Sequence, residues 1–208
     1  MPEFAELLGG YRRFRRNDYH RQRERWADLA SGQNPPVMII SCCDSRVDPA
    51  TVFDTNPGQA FVLRNVANLV PPYDTSGGLH GVSSAIEFAV VDLGVKHIVV
   101  MGHGACGGIK AALESSHDHP TIEHRFIDHW IALMDEPKAR VLADETIADK
   151  QTGLELEAVR HSLANLRTFP FIADREAAGD LKLHGCHFAI GEGRLFVLDE
   201  KSDQFVPE

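Results

Sequence analysis

The chain is predicted to be an α/β protein: a single domain built on a mostly parallel β-sheet flanked by helices, with an antiparallel edge hairpin. Three observations predict it. Short apolar runs, Val37-Met38-Ile39-Ile40 and Ile98-Val99-Val100-Met101, read as strands buried on both faces, as parallel strands are. A helical repeat of apolar residues, Ala85, Ile86, Ala89, Val90 and Leu93, stands directly before the second run. The resulting rhythm of strand, helix, strand, helix implies right-handed crossovers between parallel strands.

The elements follow in order. Phe4, Leu7, Leu8, Tyr11 and Phe14 recur at helical spacing and predict an opening amphipathic helix, ended by Gly32-Gln33-Asn34-Pro35-Pro36. The first strand runs to Cys42, and Asn56-Pro57-Gly58 turns the chain into a second strand at Phe61-Val62-Leu63. The helix that begins near Val82 is stopped by Gly94. The strand after it starts at His97 and ends in Gly102-His103-Gly104, and residues 106–113 read as a helix again. Two further helices are expected near 121–135 and 154–168, the second stopped before Pro170. The tail, His187 to Ile190 and Arg194 to Leu198 across Gly191-Glu192-Gly193, reads as the edge hairpin. No repeat, low-complexity tract or long linker divides the 208 residues.

Bulk properties narrow the function. A net charge of −9 argues against nucleic acid as a partner, since phosphate binding needs clustered positive charge. The local exception, Arg12, Arg13, Arg15, Arg16, Arg21, Arg23 and Arg25, reads as a solvated or subunit-facing helix surface. No apolar run approaches the roughly 18 residues of a membrane span, and the N-terminus lacks the apolar core of a secretory signal. The expectation is a cytoplasmic protein with no membrane partner. There are four cysteines, at 42, 43, 106 and 186. In a reducing compartment, Cys beside His and Asp suggests a metal or catalysis before disulfides.

Two segments concentrate the chemistry: Cys42-Cys43-Asp44-Ser45-Arg46 and His103-Gly104-Ala105-Cys106-Gly107-Gly108. Each follows a predicted strand, and ligands of open α/β sheets gather outside the carboxyl ends of strands. In extended backbone, residues 42 and 44 project to one side and residue 43 to the other, so Cys42 and Asp44 share a site that Cys43 cannot reach. His103-x-x-Cys106 spans a strand end and a helix start. Two thiolates and one imidazole suit zinc, and three protein ligands leave a fourth position for water. Cys43 and Cys186 read as small hydrophobes without a role.

These motifs, with Pro57-Gly58-Gln59-Ala60-Phe61-Val62-Leu63-Arg64-Asn65-Val66-Ala67-Asn68-Leu69-Val70-Pro71-Pro72-Tyr73-Asp74 between them, resemble the β-class carbonic anhydrases, especially the plant-like branch. The resemblance is dense from about Gly32 to Lys110 and looser outside. It implies one zinc per chain on Cys42, His103 and Cys106, with Asp44 orienting the solvent ligand and Arg46 holding the Asp44 carboxylate. Gln33 matches an active-site glutamine whose amide binds substrate oxygen. Phe61, Val66 and Gly107 fall at positions lining an apolar carbon dioxide pocket, and Phe88 at one contributed to a neighbour's pocket. The implied activity is reversible hydration of carbon dioxide to bicarbonate and a proton by zinc-bound hydroxide.

The resemblance further implies a homodimer or homotetramer, with residues 1–31 as a helical arm on a partner subunit. Departures matter too. Residue 88 is Phe where plant-like members often have Tyr. Residue 39 is Ile where the bicarbonate-regulated branch has Trp, which weighs against a self-inhibited form with Asp44 as fourth zinc ligand. No proton shuttle is assigned among His117, His119, His124 and His129, and carbonyl sulfide or carbon disulfide stays open as an alternative substrate.

Overall fold

The computed structural model describes residues 3–115 and 126–208. The chain divides after Asn34 into two compact units. The first unit holds α1 (Phe4–Arg16), α2 (Asp18–Arg21) and α3 (Arg23–Ser31). Glu3 and Glu6 form a reciprocal capping box at the start of α1, satisfying backbone donors that a helix start leaves open. The helical spacing thus gives its helix, but the segment up to Ser31 breaks twice, at Asn17 and at Gln22, the second of which leaves helical geometry. Phe14 and Tyr19 pack on Trp26, with ring centroids 5.6 and 6.1 Å away. None of the three helices has a buried residue, and Phe4 is 73% exposed.

The second unit runs β1 (Val37–Cys42), α4 (Pro49–Val52), β2 (Ala60–Asn65) and α5 (Gly81–Glu87), with a 3-10 turn at Val66–Asn68. It continues with β3 (His97–His103), α6 (Gly107–Glu114), α7 (Phe126–Ile131), α8 (Asp135–Ala143), α9 (Lys150–Leu166) and α10 (Pro170–Ala177). The chain closes on β4 (Lys182–Ala189), β5 (Arg194–Asp199) and β6 (Gln204–Pro207). The sheet order is β2-β1-β3-β4-β5-β6, the first four strands parallel and the last two antiparallel. No helix among the described residues is long and apolar enough to cross a membrane.

Three expectations are corrected here. The second of the later helices does end before Pro170, and Pro170 itself starts α10, where its missing N–H costs nothing. α9 begins at Lys150 rather than near 154, because the Asp149 carboxylate accepts from the backbone N–H of Gln151 and Thr152. The helix expected near 121–135 lies partly outside the described residues, and within them α7 passes through a 3-10 turn into α8. The hairpin is found, but β4 begins at Lys182 and pairs with β3 over seven residues, so the sheet edge is β6. Polar Lys182 and His184 mask the start of β4 in the apolar pattern.

Two apolar clusters fill the unit. One lies against the middle of the sheet, joining Met38, Ile40, Ile98 and Val100 to Ile86 of α5, Leu163 of α9 and Phe169. Full burial of such side chains is worth about 1.5–3 kcal/mol each before conformational entropy is counted. The second cluster lies around the carboxyl ends of β1 and β3 and contains Cys42, Cys106, Ala67, Ile109 and Leu154. The candidate ligands are thus embedded in packed structure.

Candidate metal centre

After β1 the chain crosses to β2 on one side, whereas β3 lies on the other. The order of strands therefore reverses between β1 and β3, and a crevice opens at their carboxyl ends. Cys42 is the last residue of β1 and His103 the last of β3. Gly104 and Ala105 then turn the chain into α6, with Cys106 just before its first residue. Ala105 has φ of +54°, a left-handed conformation that costs a residue with a side chain about 1–2 kcal/mol. Its carbonyl accepts a 2.9 Å hydrogen bond from Arg46 Nη2, which helps hold the turn.

The ligand atoms of Cys42, His103 and Cys106 lie within 4.8 Å of one another, and all three residues are buried. The sulfurs are 3.9 Å apart. Two sulfurs bound at about 2.3 Å with a tetrahedral angle between them would stand about 3.8 Å apart, so the spacing suits one zinc ion. His103 supplies the sharpest test. Its Nδ1 donates to the Gly104 carbonyl at 2.9 Å, which fixes the tautomer and leaves Nε2 with a free lone pair. That Nε2 is buried and without a hydrogen-bond partner among the described residues. A buried acceptor left bare is costly, and a metal ion satisfies it.

The electrostatics favour a bound cation. A hydrogen bond from Cys106 draws the Cys42 thiol well below the usual thiol range, aided by backbone groups near Asp44 and Ala67. The same bond, with burial, pushes Cys106 up. A divalent ion binds thiolates, so binding here releases protons from the pair. The backbone N–H of Ala67 points to Cys42 Sγ at 3.4 Å.

Beside the ligands, Asp44 and Arg46 form a two-pronged pair. Arg46 Nε donates to Asp44 Oδ1 at 2.9 Å and Nη2 to Oδ2 at 2.7 Å, while the Arg46 backbone N–H adds a third bond to Oδ1. The Arg46 bonds hold the Asp44 carboxyl well below the usual carboxylate range. Asp44 Oδ2 lies 3.9 Å from His103 Nε2, next to the place a metal would take. Cys43, in contrast, is exposed, as the strand alternation requires, and Cys186 is buried in β4, where burial pushes its thiol up to about 12.

The structure also shows residues that motif reading did not find. Arg64, at the end of β2, donates to the carbonyls of Cys42, Asp44 and Val47 at 2.9, 2.7 and 3.1 Å, bracing the loop that carries the first ligand. Glu155 of α9 is buried and accepts from the Cys106 backbone N–H at 2.9 Å, from Gln151 at 3.2 Å, and pairs with His187 Nε2 at 3.2 Å. A signal for it existed: Glu155 interrupts the buried stripe of Leu154, Ala158, Val159 and Leu163. Because Glu155 grips a ligand's backbone, Glu155→Gln is expected to weaken zinc binding about 10–100-fold. Competition with a colorimetric zinc chelator measures it, and unchanged affinity would remove Glu155 from the support of the centre.

The remaining expected residues divide. Val66 and Gly107 adjoin the centre along the chain: Val66 precedes Ala67, whose N–H points to Cys42 Sγ, and Gly107 follows Cys106. Phe61 pairs with Met38, four positions before Cys42, which at about 3.3 Å per residue places it about 13 Å down the sheet. It packs on Phe88, with centroids 5.9 Å apart, and Phe88 is 43% exposed. Phe61 is therefore not brought to the metal centre of its own chain. Gln33 lies in the first unit and is exposed. Of the histidines without a role, His129 is in α7, and His117, His119 and His124 lie outside the described residues.

Comparison with known proteins gives the same answer. Residues 37–195 match the carbonic anhydrase family model. The chain is 34% identical over 207 residues to beta carbonic anhydrase 3 of Arabidopsis thaliana, covering 97% of this chain and 80% of that one. It is 40% identical over 193 residues to the mitochondrial beta carbonic anhydrase 6 of the same plant, covering 91% of this chain and 66% of that one. Among solved structures, the β-carbonic anhydrase CcaA superposes with a TM-score of 0.89 at 31% identity over 98% of both chains. A tetrameric β-carbonic anhydrase of Sordaria macrospora superposes with a TM-score of 0.77 at 30% identity, over 94% of this chain and 96% of that one. The chain belongs to the β-carbonic anhydrase family, and with zinc on Cys42, His103 and Cys106 it is an enzyme that hydrates carbon dioxide.

Proposed function

We propose that in this chain the reversible hydration of carbon dioxide depends on Asp44 and Arg46 for orientation and on two copies of the chain for the substrate pocket. Zinc held by Cys42, His103 and Cys106 would supply a Lewis acid able to make water acidic near pH 7. The observation that carries the reading is the Asp44–Arg46 pair. Arg46 occupies both carboxylate oxygens and leaves a lone pair of Oδ2 facing the vicinity of His103 Nε2. Asp44 in that pose accepts a hydrogen bond from the reacting solvent molecule and sets its lone pair toward the substrate. A carboxylate held well below its usual range keeps this acceptor role at every pH where the enzyme works.

Val66 and Gly107 give the apolar wall for carbon dioxide, and the Gln33 amide is assigned to a substrate oxygen, an assignment that rests on the resemblance. Phe61 and Phe88 are assigned to the pocket of a second copy. Three observations support two copies. Phe61 lies far down the sheet from its own Cys42, Phe88 is half exposed beside it, and α1 carries an uncovered apolar row of Phe4, Leu7 and Tyr11. The tetrameric Sordaria macrospora relative is consistent with this.

Subunit mixing tests the composite pocket. Cys42→Ser chains lack a metal ligand, and Phe61→Ala/Phe88→Ala chains lack the donated residues. In randomly paired mixed dimers, about a quarter of wild-type activity should return, because half the pairs hold one intact site. Mixtures no more active than their parts would leave each pocket to a single chain.

A further inference from the structure

The β4–β5 hairpin and the first turns of α9 border a cavity of about 630 Å³ to which the reaction assigns no role. Its size falls in the range of about 300–1,000 Å³ typical of small-molecule sites. Leu156, Ile190, Phe196 and Phe205 make most of its wall apolar. Among the polar side chains that break that wall, with Thr152 and Glu192, Arg46 and His187 are tied to the metal centre. Arg46 spends Nε and Nη2 on Asp44 and the Ala105 carbonyl, and its Nη1 has no hydrogen-bond partner among the described residues. His187 spends Nε2 on Glu155, whose other oxygen holds the Cys106 backbone, and its Nδ1 is likewise unpartnered among the described residues.

A cationic edge in an apolar chamber selects an anionic head on an apolar body. Glu192 also lines the cavity, paired with Arg194 at 3.8 Å, and disfavours a second negative charge on the ligand. We propose that this cavity is an effector site for a small monocarboxylate with an aromatic or branched aliphatic body, whose binding lowers turnover. The carboxylate takes hydrogen bonds from Arg46, and the guanidinium then grips Asp44 less firmly. No covalent bond changes. The inference rests on the role given above to the Asp44–Arg46 pair, and it adds the class of ligand that acts on it.

The test uses the zinc-loaded enzyme with 3-phenylpropionate as probe and acetate as the same head without a body. Phenylpropionate should bind saturably and lower kcat about fivefold or more without raising KM for carbon dioxide, while zinc content stays constant. Acetate at equal concentration should leave kcat in place. Leu156→Trp, which fills the cavity from α9, should keep basal turnover and raise the half-inhibitory concentration at least about tenfold. If that variant does not fold, methyl NMR of the wild type decides: the Ile190 signal should move on binding and that of the core residue Ile98 should not. The proposal is overturned by no saturable binding, by binding that leaves Ile190 or turnover untouched, or by equal inhibition of Leu156→Trp. Basal turnover of Arg46→Ala, measured without ligand, reports separately on the pair itself.

Discussion

Cys42→Ser is expected to abolish zinc binding and carbon dioxide hydration together while leaving the fold in place. A hydroxyl is a far poorer zinc ligand than a thiolate, and the two remaining ligands, His103 and Cys106, cannot hold the ion at working concentrations. Affinity should fall on the order of a thousandfold, and activity with it. Serine is slightly smaller than cysteine, and its buried hydroxyl costs about 1–3 kcal/mol if unpaired. The melting temperature should therefore drop only by the amount the lost zinc and this hydroxyl explain. Metal analysis beside stopped-flow hydration on the same sample checks it, and a variant that keeps both zinc and turnover would end the ligand assignment.

Arg46→Ala separates the metal from its surroundings. The variant should bind about one zinc per chain and lose about a hundred- to a thousandfold in kcat, the range for removing a preorganised polar contact at a reacting centre. The Arg46 side chain is 49% exposed, so its pair with Asp44 adds little to stability, and melting should barely change. The pH dependence distinguishes orientation from charge. The Arg46 bonds depress the Asp44 pKa, so removing them lets it rise toward an ordinary value of about 3.9. Asp44 stays ionised at pH 7, and the loss of rate should be uniform from pH 7 to 9. A rate restored simply by raising the pH would mean that Arg46 governs the charge of Asp44 and not its direction. Arg46→Lys should recover little, since an ammonium cannot make two parallel bonds to one carboxylate.

The sequence exposed the site more fully than its supports, for a physical reason. Cys42, Asp44, Arg46, His103 and Cys106 lie in two short segments at strand ends, and chemistry confined to a few neighbouring residues can be read locally. The alternation that separates Cys42 from Cys43 is a property of three residues, and it holds in three dimensions. Arg64 and Glu155 act across the fold, from β2 and α9, onto backbone atoms of the ligand segments, and His187 of β4 acts through Glu155. Backbone partners carry no side-chain signature, so nothing in the segments themselves called for these three. Of them, Glu155 alone left a trace, as an acid in an apolar stripe.

Helix boundaries failed where capping outweighed periodicity. Asp149 starts α9 a turn early; α9 ends before Pro170 as expected, but the helix that Pro170 opens was not foreseen. The sheet edge was misplaced because β6 is four residues long and only Phe205 and Val206 give it an apolar face. Phe61 shows a different limit. Its match to a pocket position concerned an assembly, and in one chain it stands at the far end of the strand from Cys42.

Zinc content and carbon dioxide hydration, followed on one preparation through removal and return of the metal, test the central claim most directly. Purified protein should carry about one zinc per chain and turn over rapidly near pH 8. Stripping the ion with a chelator should lower the rate in proportion to the zinc lost, and adding zinc back should restore it. A rate indifferent to zinc content, or full zinc occupancy without turnover, would contradict an enzyme built on Cys42, His103 and Cys106.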